Sequence, residues 1–236
     1  MATRTEALAP ARRSWYPRAE LVLAVLAVAS LALIPVRITT IYSGLPAHPL
    51  FLHVPVILIP VAAVAALVFC LRSRWFVRHG VALAVVTVVA LAATDLTIGA
   101  GIALRNALHL NAGGFGPSAL IARHAHAASI LRLLLIGFTA VLLVTVLAYR
   151  VADGRRTGRA GLDRLLSGSG ARIALRAVLA VLAIACGYFV WHTGDLGAKA
   201  VWQGRLHGSG AGPGPSGGFG GPGGGGVNGL FGSGGG

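Results

Sequence analysis

The sequence predicts an all-α membrane protein, in which a bundle of four transmembrane helices follows one N-terminal anchor helix. Of its 236 residues, 56% are hydrophobic and 11% are charged, whereas about a quarter of an ordinary soluble domain is charged. The apolar residues also form five long runs, and about 20 apolar residues in a helix cross the hydrocarbon core of a bilayer. The composition therefore argues against a soluble domain.

The five apolar runs cover about residues 19–36, 50–71, 81–98, 128–149 and 177–190. The first and last are short, and flanking arginines that reach the interface compensate for this. A basic stretch precedes the first run, as in a cleaved signal peptide, but no small-x-small cleavage site follows it, which favours an uncleaved anchor. The third and fourth helices are expected to extend beyond the membrane, through Leu108 and from Pro117–Ser118.

These runs divide the chain into three parts. Residues 1–43 form a cytoplasmic N-terminus and the first transmembrane helix, and residues 44–206 form the four-helix membrane domain. Residues 207–236 form a Gly-rich tail, which we expect to be disordered and extracytoplasmic. Seventeen of the 34 glycines lie in residues 208–236, where no side chain is charged. Such a segment cannot bury enough apolar surface to offset the entropy lost on ordering.

The basic residues predict the orientation. The chain carries 20 Lys and Arg against 6 Asp and Glu, a net charge of +14. A nucleic-acid partner would need this charge on a water-exposed fold, whereas here it flanks apolar runs. Fourteen of the 20 basic residues lie in the N-terminus, the second-to-third loop and the fourth-to-fifth loop. Because basic loops stay cytoplasmic, the sequence predicts a multi-pass plasma-membrane protein with its N-terminus inside and its C-terminus outside.

Asp95 is an ionisable side chain at membrane depth, where such groups are costly and informative. The residues that follow it at helical spacing form a small and polar stripe: Gly99, Ile102, Asn106 and His109. Arg132 lies in the first membrane turn of the fourth helix, among small neighbours that permit close helix contact. We therefore expect an Asp95–Arg132 ion pair; the alternative is that each side chain extends separately to the headgroups.

Histidines form the second group of candidates. Seven of the eight map to the predicted outer side: His48, His53, His109, His124, His126, His192 and His207. Imidazoles that converge in a helical bundle can bind haem iron or another transition metal. The alternative is that each is an interfacial or hydrogen-bonding residue. The sequence offers no nucleophile–histidine–acid arrangement, so we expect no catalytic residues; this favours a protein that is not an enzyme by itself and leaves enzyme activity open.

If a cofactor is present, the expected arrangement is one b-type haem near the outer face. His53 and His124 are the expected axial ligands, because they come from two helices at similar depth. His192 and His48 are further candidates for the cofactor site. Asp95 and Arg132 would lie around the ligands, and Arg132 or Arg123 could pair with a haem propionate.

Three segments resemble one known family. They are Gly44-Leu45-Pro46-Ala47-His48-Pro49-Leu50-Phe51-Leu52-His53, Arg123-His124-Ala125 and Gly194-Asp195-Leu196-Gly197-Ala198-Lys199-Ala200-Val201-Trp202. Together they resemble an uncharacterised bacterial membrane family, domain of unknown function 2231, over about residues 44–205. The resemblance implies a core of four helices. Members commonly carry histidine at the position of Asp195, three residues after His192. Some relatives are joined to Rieske iron–sulfur domains, which implies membrane redox work.

Three functions remain open from the sequence. The first is a redox-associated membrane protein that passes electrons to or from a quinol or an extracytoplasmic partner. The second is an accessory or assembly subunit of a larger membrane complex, without a cofactor, because small-residue helices suit packing against partner subunits. The third is a proton or small-ion transporter, for which Asp95 is the only sequence feature.

Overall fold

The computed structural model describes residues 18–41, 44–107, 117–155 and 157–206. In these ranges the chain is helical and has no β-strand, so the predicted all-α fold class is confirmed. The elements are α1 (Arg18–Ser30), a 3-10 turn (Leu31–Leu33), α2 (Ala47–Phe51), α3 (His53–Leu71), α4 (Arg74–Ala107), α5 (Pro117–Ala152), α6 (Ala160–Ser167) and α7 (Ser169–Leu206).

Four stretches of helix are long and apolar enough to cross a membrane. They are Ala47–Leu71, Arg74–Ala107, Ala119–Ala152 and Ser169–Trp202. Helices of this length rise by roughly 50 Å in the longer cases, against ~30 Å for the hydrocarbon core, so their ends project from it. The described part of the chain is thus a multi-pass membrane bundle that exposes apolar side chains to lipid.

The predicted extensions of the third and fourth helices are confirmed as far as the structure describes them. α4 continues to Ala107, and α5 begins at Pro117, where proline is favoured in a first helical turn. Leu108 and the turn-rich connector that follows it lie outside the described residues. The Gly-rich tail, 207–236, also lies outside them.

The four long helices form a closed ring of contacts. α4 packs against α3 and α5, and α7 packs against α5 and α3. Fully buried Phe138, Leu135 and Leu142 lie in this core. At one end, the Phe76 and Tyr149 rings stack with centroids 5.1 Å apart, which places the start of α4 beside the end of α5.

The same end of the bundle gathers the arginine-rich segments. The Arg176 guanidinium, near the start of α7, donates to the Cys70 carbonyl oxygen at 3.2 Å, near the end of α3. Arg150, near the end of α5, pairs with Glu20 of α1 at 2.9 Å. The described arginines of the N-terminus and of both predicted inner loops therefore share one end.

The first apolar segment is shorter as a helix than expected. α1 has 13 residues, or roughly 20 Å of helix against a core of ~30 Å. It packs against α4 and α5, and Leu23 is buried in the common core. Both its ends are held by polar contacts, through Glu20 and through Ser30. α1 accounts for the first part of segment 19–36, and its role as a membrane anchor stays a prediction.

A break at Leu52 divides the first long span into α2 and α3. Pro55 has no N–H, so the carbonyl of Phe51 cannot receive the usual helical bond from four residues later. Leu52 itself keeps helical dihedral angles, φ −63° and ψ −23°, and its N–H bonds the His48 carbonyl at 3.1 Å. Pro60 lies inside α3 without ending it.

At Gly99, the backbone of residues 33–36 lies very close to α4. A Cβ at this position would overlap the carbonyl oxygen of Val36 and lie 3.0 Å from that of Ile34. Gly99→Ala must therefore displace the segment after the 3-10 turn. We expect it to lower the free energy of unfolding by about 1–3 kcal/mol, the usual cost of overpacking.

Gly187→Ala in α7 is the matched control, because a Cβ there meets nothing within 4 Å. It should not be destabilising, since alanine favours helix over glycine by up to about 1 kcal/mol. Unfolding of both variants in detergent micelles, followed by far-UV circular dichroism, measures the difference. Equal stability of the two variants would contradict the close approach at Gly99.

Candidate functional site

At the end of the bundle opposite the arginine-rich segments, two histidines face each other. The ring centroids of His48, on α2, and His124, on α5, lie 6.4 Å apart, and their planes are perpendicular. Both side chains are half-buried. The two rings come from separate parts of the fold, so helix packing holds them together.

The His48 ring is held by α4. Its Nδ1 lies 2.9 Å from the carbonyl oxygen of Thr97, and a carbonyl oxygen can only accept a hydrogen bond. Nδ1 therefore carries a proton, and in the neutral form of the ring the lone pair lies on Nε2. Gly101, one turn after Thr97, makes room for the ring, because a Cβ there would lie 2.9 Å from Nδ1.

The His124 ring is held in the same way by α7. Its Nδ1 lies 2.9 Å from the carbonyl oxygen of Thr193. Gly197 follows Thr193 by one turn, and a Cβ there would lie 3.2 Å from Nδ1 and Cε1. In both places a threonine carbonyl accepts from Nδ1, and a glycine four residues later accommodates the ring.

With Nδ1 of each ring bonded to a carbonyl, the Nε2 atoms of His48 and His124 are the two nitrogens that could bind a ligand. No hydrogen bond to either Nε2 comes from the part of the chain that the structure describes. A backbone carbonyl on the other ring nitrogen is the usual partner of a metal-bound histidine, since it fixes the tautomer and raises basicity. If His48 and His124 both held one metal, with bonds of about 2.0 Å, their ring centroids would lie roughly 6 Å apart.

The site offers two imidazole nitrogens as donors. Among the described residues, no group of three or more His, Cys, Asp or Glu side chains could hold a metal ion. A haem needs only two axial ligands from the protein, because its ring nitrogens supply the others. In addition, the Thr193 Oγ1 hydroxyl is buried and has no partner among the described residues, so one polar atom here remains open to a bound group.

His53, expected to be an axial ligand together with His124, is not one of the two rings that face each other. It is exposed at the start of α3, five residues after His48, which in helical geometry is about 140° around the axis. Only one of the two can thus face α4, and the structure turns His48 towards it. His48 was a candidate in the sequence, but its pairing with His124 was not expected.

His192 lies beside the pair rather than in it. Its ring stacks on Tyr188, with centroids 5.8 Å apart and planes 7° apart. With Arg123 and His126 it lines an open cleft of about 350 Å³ between α5 and α7. Asp195, three residues after His192, pairs with Lys199 at 2.7 Å.

The predicted Asp95–Arg132 ion pair is confirmed. Arg132 Nε donates to Asp95 Oδ1 at 2.8 Å, and Ser30 Oγ donates to Oδ2 at 3.1 Å. Asp95 is fully buried. Asp95 precedes Thr97 by two residues, so the pair joins α4 to α5 next to the turn that holds His48. Of the predicted stripe, Gly99 is buried, Ile102 is half-buried and Asn106 is exposed; His109 lies outside the described residues.

The sequence did contain a signal for the histidine pair. The Thr-x-x-x-Gly spacing occurs at Thr97–Gly101 and again at Thr193–Gly197, each late in a long apolar helix. This spacing puts the threonine and the glycine on one helix face.

Comparison with known proteins gives no relative: no family model, curated protein or solved structure matches this chain.

Proposed function

We propose that this multi-pass membrane protein binds one b-type haem between His48 and His124 and exchanges electrons with a quinol or an extracytoplasmic redox partner. The observation that carries the proposal is the perpendicular imidazole pair, 6.4 Å apart, with both Nδ1 atoms fixed on backbone carbonyls. Haem, when bound, supplies a one-electron couple whose potential depends on its axial ligands and surroundings.

The chain's own residues would orient and bury the group. The Thr97 and Thr193 carbonyls each hold a proton on Nδ1, so that the neutral form of either ring presents its lone pair on Nε2. Arg132 and Arg123 are two basic side chains near this end that could pair with propionates. The ion pair with buried Asp95 holds the Arg132 guanidinium against α4.

We further propose the predicted topology, with a cytoplasmic N-terminus, an uncleaved first segment acting as an anchor and an outer C-terminus in the plasma membrane. It is supported by the gathering of described arginines at one end, since basic segments stay on the cytoplasmic side. The histidine pair would then lie near the outer face.

Membership of the family of domain of unknown function 2231 is also a proposal. Its support is spatial: the three segments that carry the resemblance contribute His48, His124 and Gly197, and these residues meet at the histidine pair.

The absorption spectrum of the purified full chain tests the haem proposal. The protein is expressed with a haem precursor in the medium and purified in a mild detergent. We expect a Soret band and about one haem per chain. A protein with no Soret band, isolated together with one stable membrane partner, would overturn the haem proposal in favour of a cofactor-free accessory subunit.

Gly197→Val tests the way His124 is held. The added side chain must push the ring away from its position, because a Cβ alone already lies 3.2 Å from it. We expect haem affinity to fall about 10- to 100-fold, as for other changes next to a metal ligand. Gly194→Val, three residues earlier, meets nothing within 4 Å and should bind haem like the wild type. Haem titration of the apoproteins measures the affinity of both variants. Equal affinities would show that the space at Gly197 does not position the His124 ring.

A further inference from the structure

The end of the bundle away from the histidine pair carries a concave basic surface that haem binding does not use. We call it the arginine cluster, and it consists of Arg72, Arg74, Arg78, His79 and Trp75. All five side chains are exposed. Together with Leu71 and Ser73 they line an open cavity of about 780 Å³, where α3 passes into α4.

The positive charges of the arginine cluster are not neutralised by the described residues. The ion pairs among those residues join Asp95 to Arg132, Glu20 to Arg150 and Asp195 to Lys199, and none involves the cluster. Its contacts are with rings: the Arg72 guanidinium lies 6.0 Å from the Trp75 ring centroid. Arg72, Arg74 and Arg78 line one cavity, and because like charges repel, an anion in that cavity would relieve the repulsion. The amino end of α4 adds to the positive potential.

Other arginines at the same end have different surroundings. Arg176 bonds the Cys70 carbonyl, Arg150 pairs with Glu20, and Arg172 lies 5.5 Å from the Tyr149 ring centroid. These contacts join one helix to another and so stabilise the bundle. Trp75 and His79 of the arginine cluster pack against Phe69 of α3. Its three arginines form no hydrogen bond or ion pair with another long helix in the described part of the chain, which leaves their guanidinium groups available to a ligand.

The rim of the cavity is apolar. Leu71 is 86% exposed and Trp75 is 38% exposed, at the point where the apolar surface of α3 ends. Tryptophan at the end of an apolar span is typical of the membrane–water interface. An anion that fits here has its charge among the guanidinium groups and its hydrocarbon along α3. We infer that the arginine cluster binds the headgroup of an anionic phospholipid, such as phosphatidylglycerol.

Paired charge-removal variants test this inference on the full chain in neutral detergent. Arg74→Gln/Arg78→Gln removes two charges from the cluster. Arg159→Gln/Arg164→Gln removes two exposed charges from the segment between α5 and α7. Each arginine near an anionic lipid contributes about fivefold in affinity, so the first double variant should bind phosphatidylglycerol roughly 30-fold more weakly. The control should bind it like the wild type. Native mass spectrometry measures how much phosphatidylglycerol each protein retains, and phosphatidylcholine serves as the reference lipid.

A second readout does not depend on the folding of the glutamine variants. Phosphatidylglycerol brominated near the headgroup should quench wild-type tryptophan fluorescence more than brominated phosphatidylcholine does. Trp75→Phe should remove that difference. Equal losses in both double variants, equal quenching by the two lipids, or competition by inorganic phosphate at the same concentration as lipid would overturn the inference, because each indicates diffuse charge or a small-anion site.

Discussion

Replacing either His48 or His124 with alanine is expected to abolish haem binding while leaving the bundle folded. Each substitution removes one of the two nitrogen donors that the structure holds 6.4 Å apart, ring centroid to ring centroid. Because both rings are only half-buried, the cavity left behind is open and costs little stability. The haem content should fall from about one per chain to below about one tenth.

His53→Ala is the matched control for these two variants. His53 belongs to the same span and to the same run of sequence as His48, but it is exposed at the start of α3. Its loss should leave the haem content unchanged. Pyridine haemochrome assays on the four proteins, with circular dichroism to verify folding, give the comparison. Normal haem content in His48→Ala together with loss in His53→Ala would show that the ligand is His53.

The second large effect is expected from breaking the buried ion pair. Arg132→Met leaves Asp95 fully buried with only Ser30 as a partner. Breaking such a pair from one side typically costs about 3–5 kcal/mol, because the remaining charge is uncompensated. We expect a loss of this size in the free energy of unfolding, measured by denaturant titration in micelles.

Two controls separate charge burial from simple loss of a side chain. Asp95→Leu/Arg132→Met removes both charges. The single Ser30 hydroxyl proton, which lies between the Ala27 carbonyl at 2.8 Å and Asp95 Oδ2 at 3.1 Å in the wild type, is then donated to the Ala27 carbonyl alone. This double variant should be more stable than Arg132→Met alone. Lys199→Met breaks the exposed Asp195–Lys199 pair, which should cost about 0.5 kcal/mol or less. A loss in Arg132→Met no larger than that in Lys199→Met would contradict the importance of burial.

The long helices were predictable because each depends on local composition. Their ends were less so: the apolar run at 177–190 becomes α7, Ser169–Leu206. Hydropathy identifies only the part of a helix that lies in lipid. Charged residues such as Arg172, Arg176 and Lys199 lower the hydropathy at the two ends of α7, so those ends were not recognised as helix. α6 escaped prediction because its eight residues lie in a basic loop and fall short of a membrane span.

The part of the site that could be predicted was the ion pair, because a charged residue at membrane depth indicates by itself that it needs a partner. Asp95 and Arg132 were expected to pair because unpaired charges at membrane depth are costly. The choice between His48 and His53 depends instead on how α2 is set against α4. That placement depends on the bond of the Ala47 N–H to the Thr39 carbonyl and on the packing of α2 against α4, which are tertiary features. The role of Gly101 and Gly197 could not be predicted either, because it depends on the histidine rings that pack against them in the folded protein.

The central claim is that His48 and His124 bind the two sides of one haem, and the coordination state of that haem in the purified wild type tests it most directly. Electron paramagnetic resonance of the oxidised protein, together with carbon monoxide addition to the reduced protein, reports this state. With two imidazoles on the iron, we expect a low-spin ferric signal and no rapid change of the reduced spectrum with carbon monoxide. A high-spin ferric signal with rapid carbon monoxide binding, or purified protein without haem, would contradict the claim.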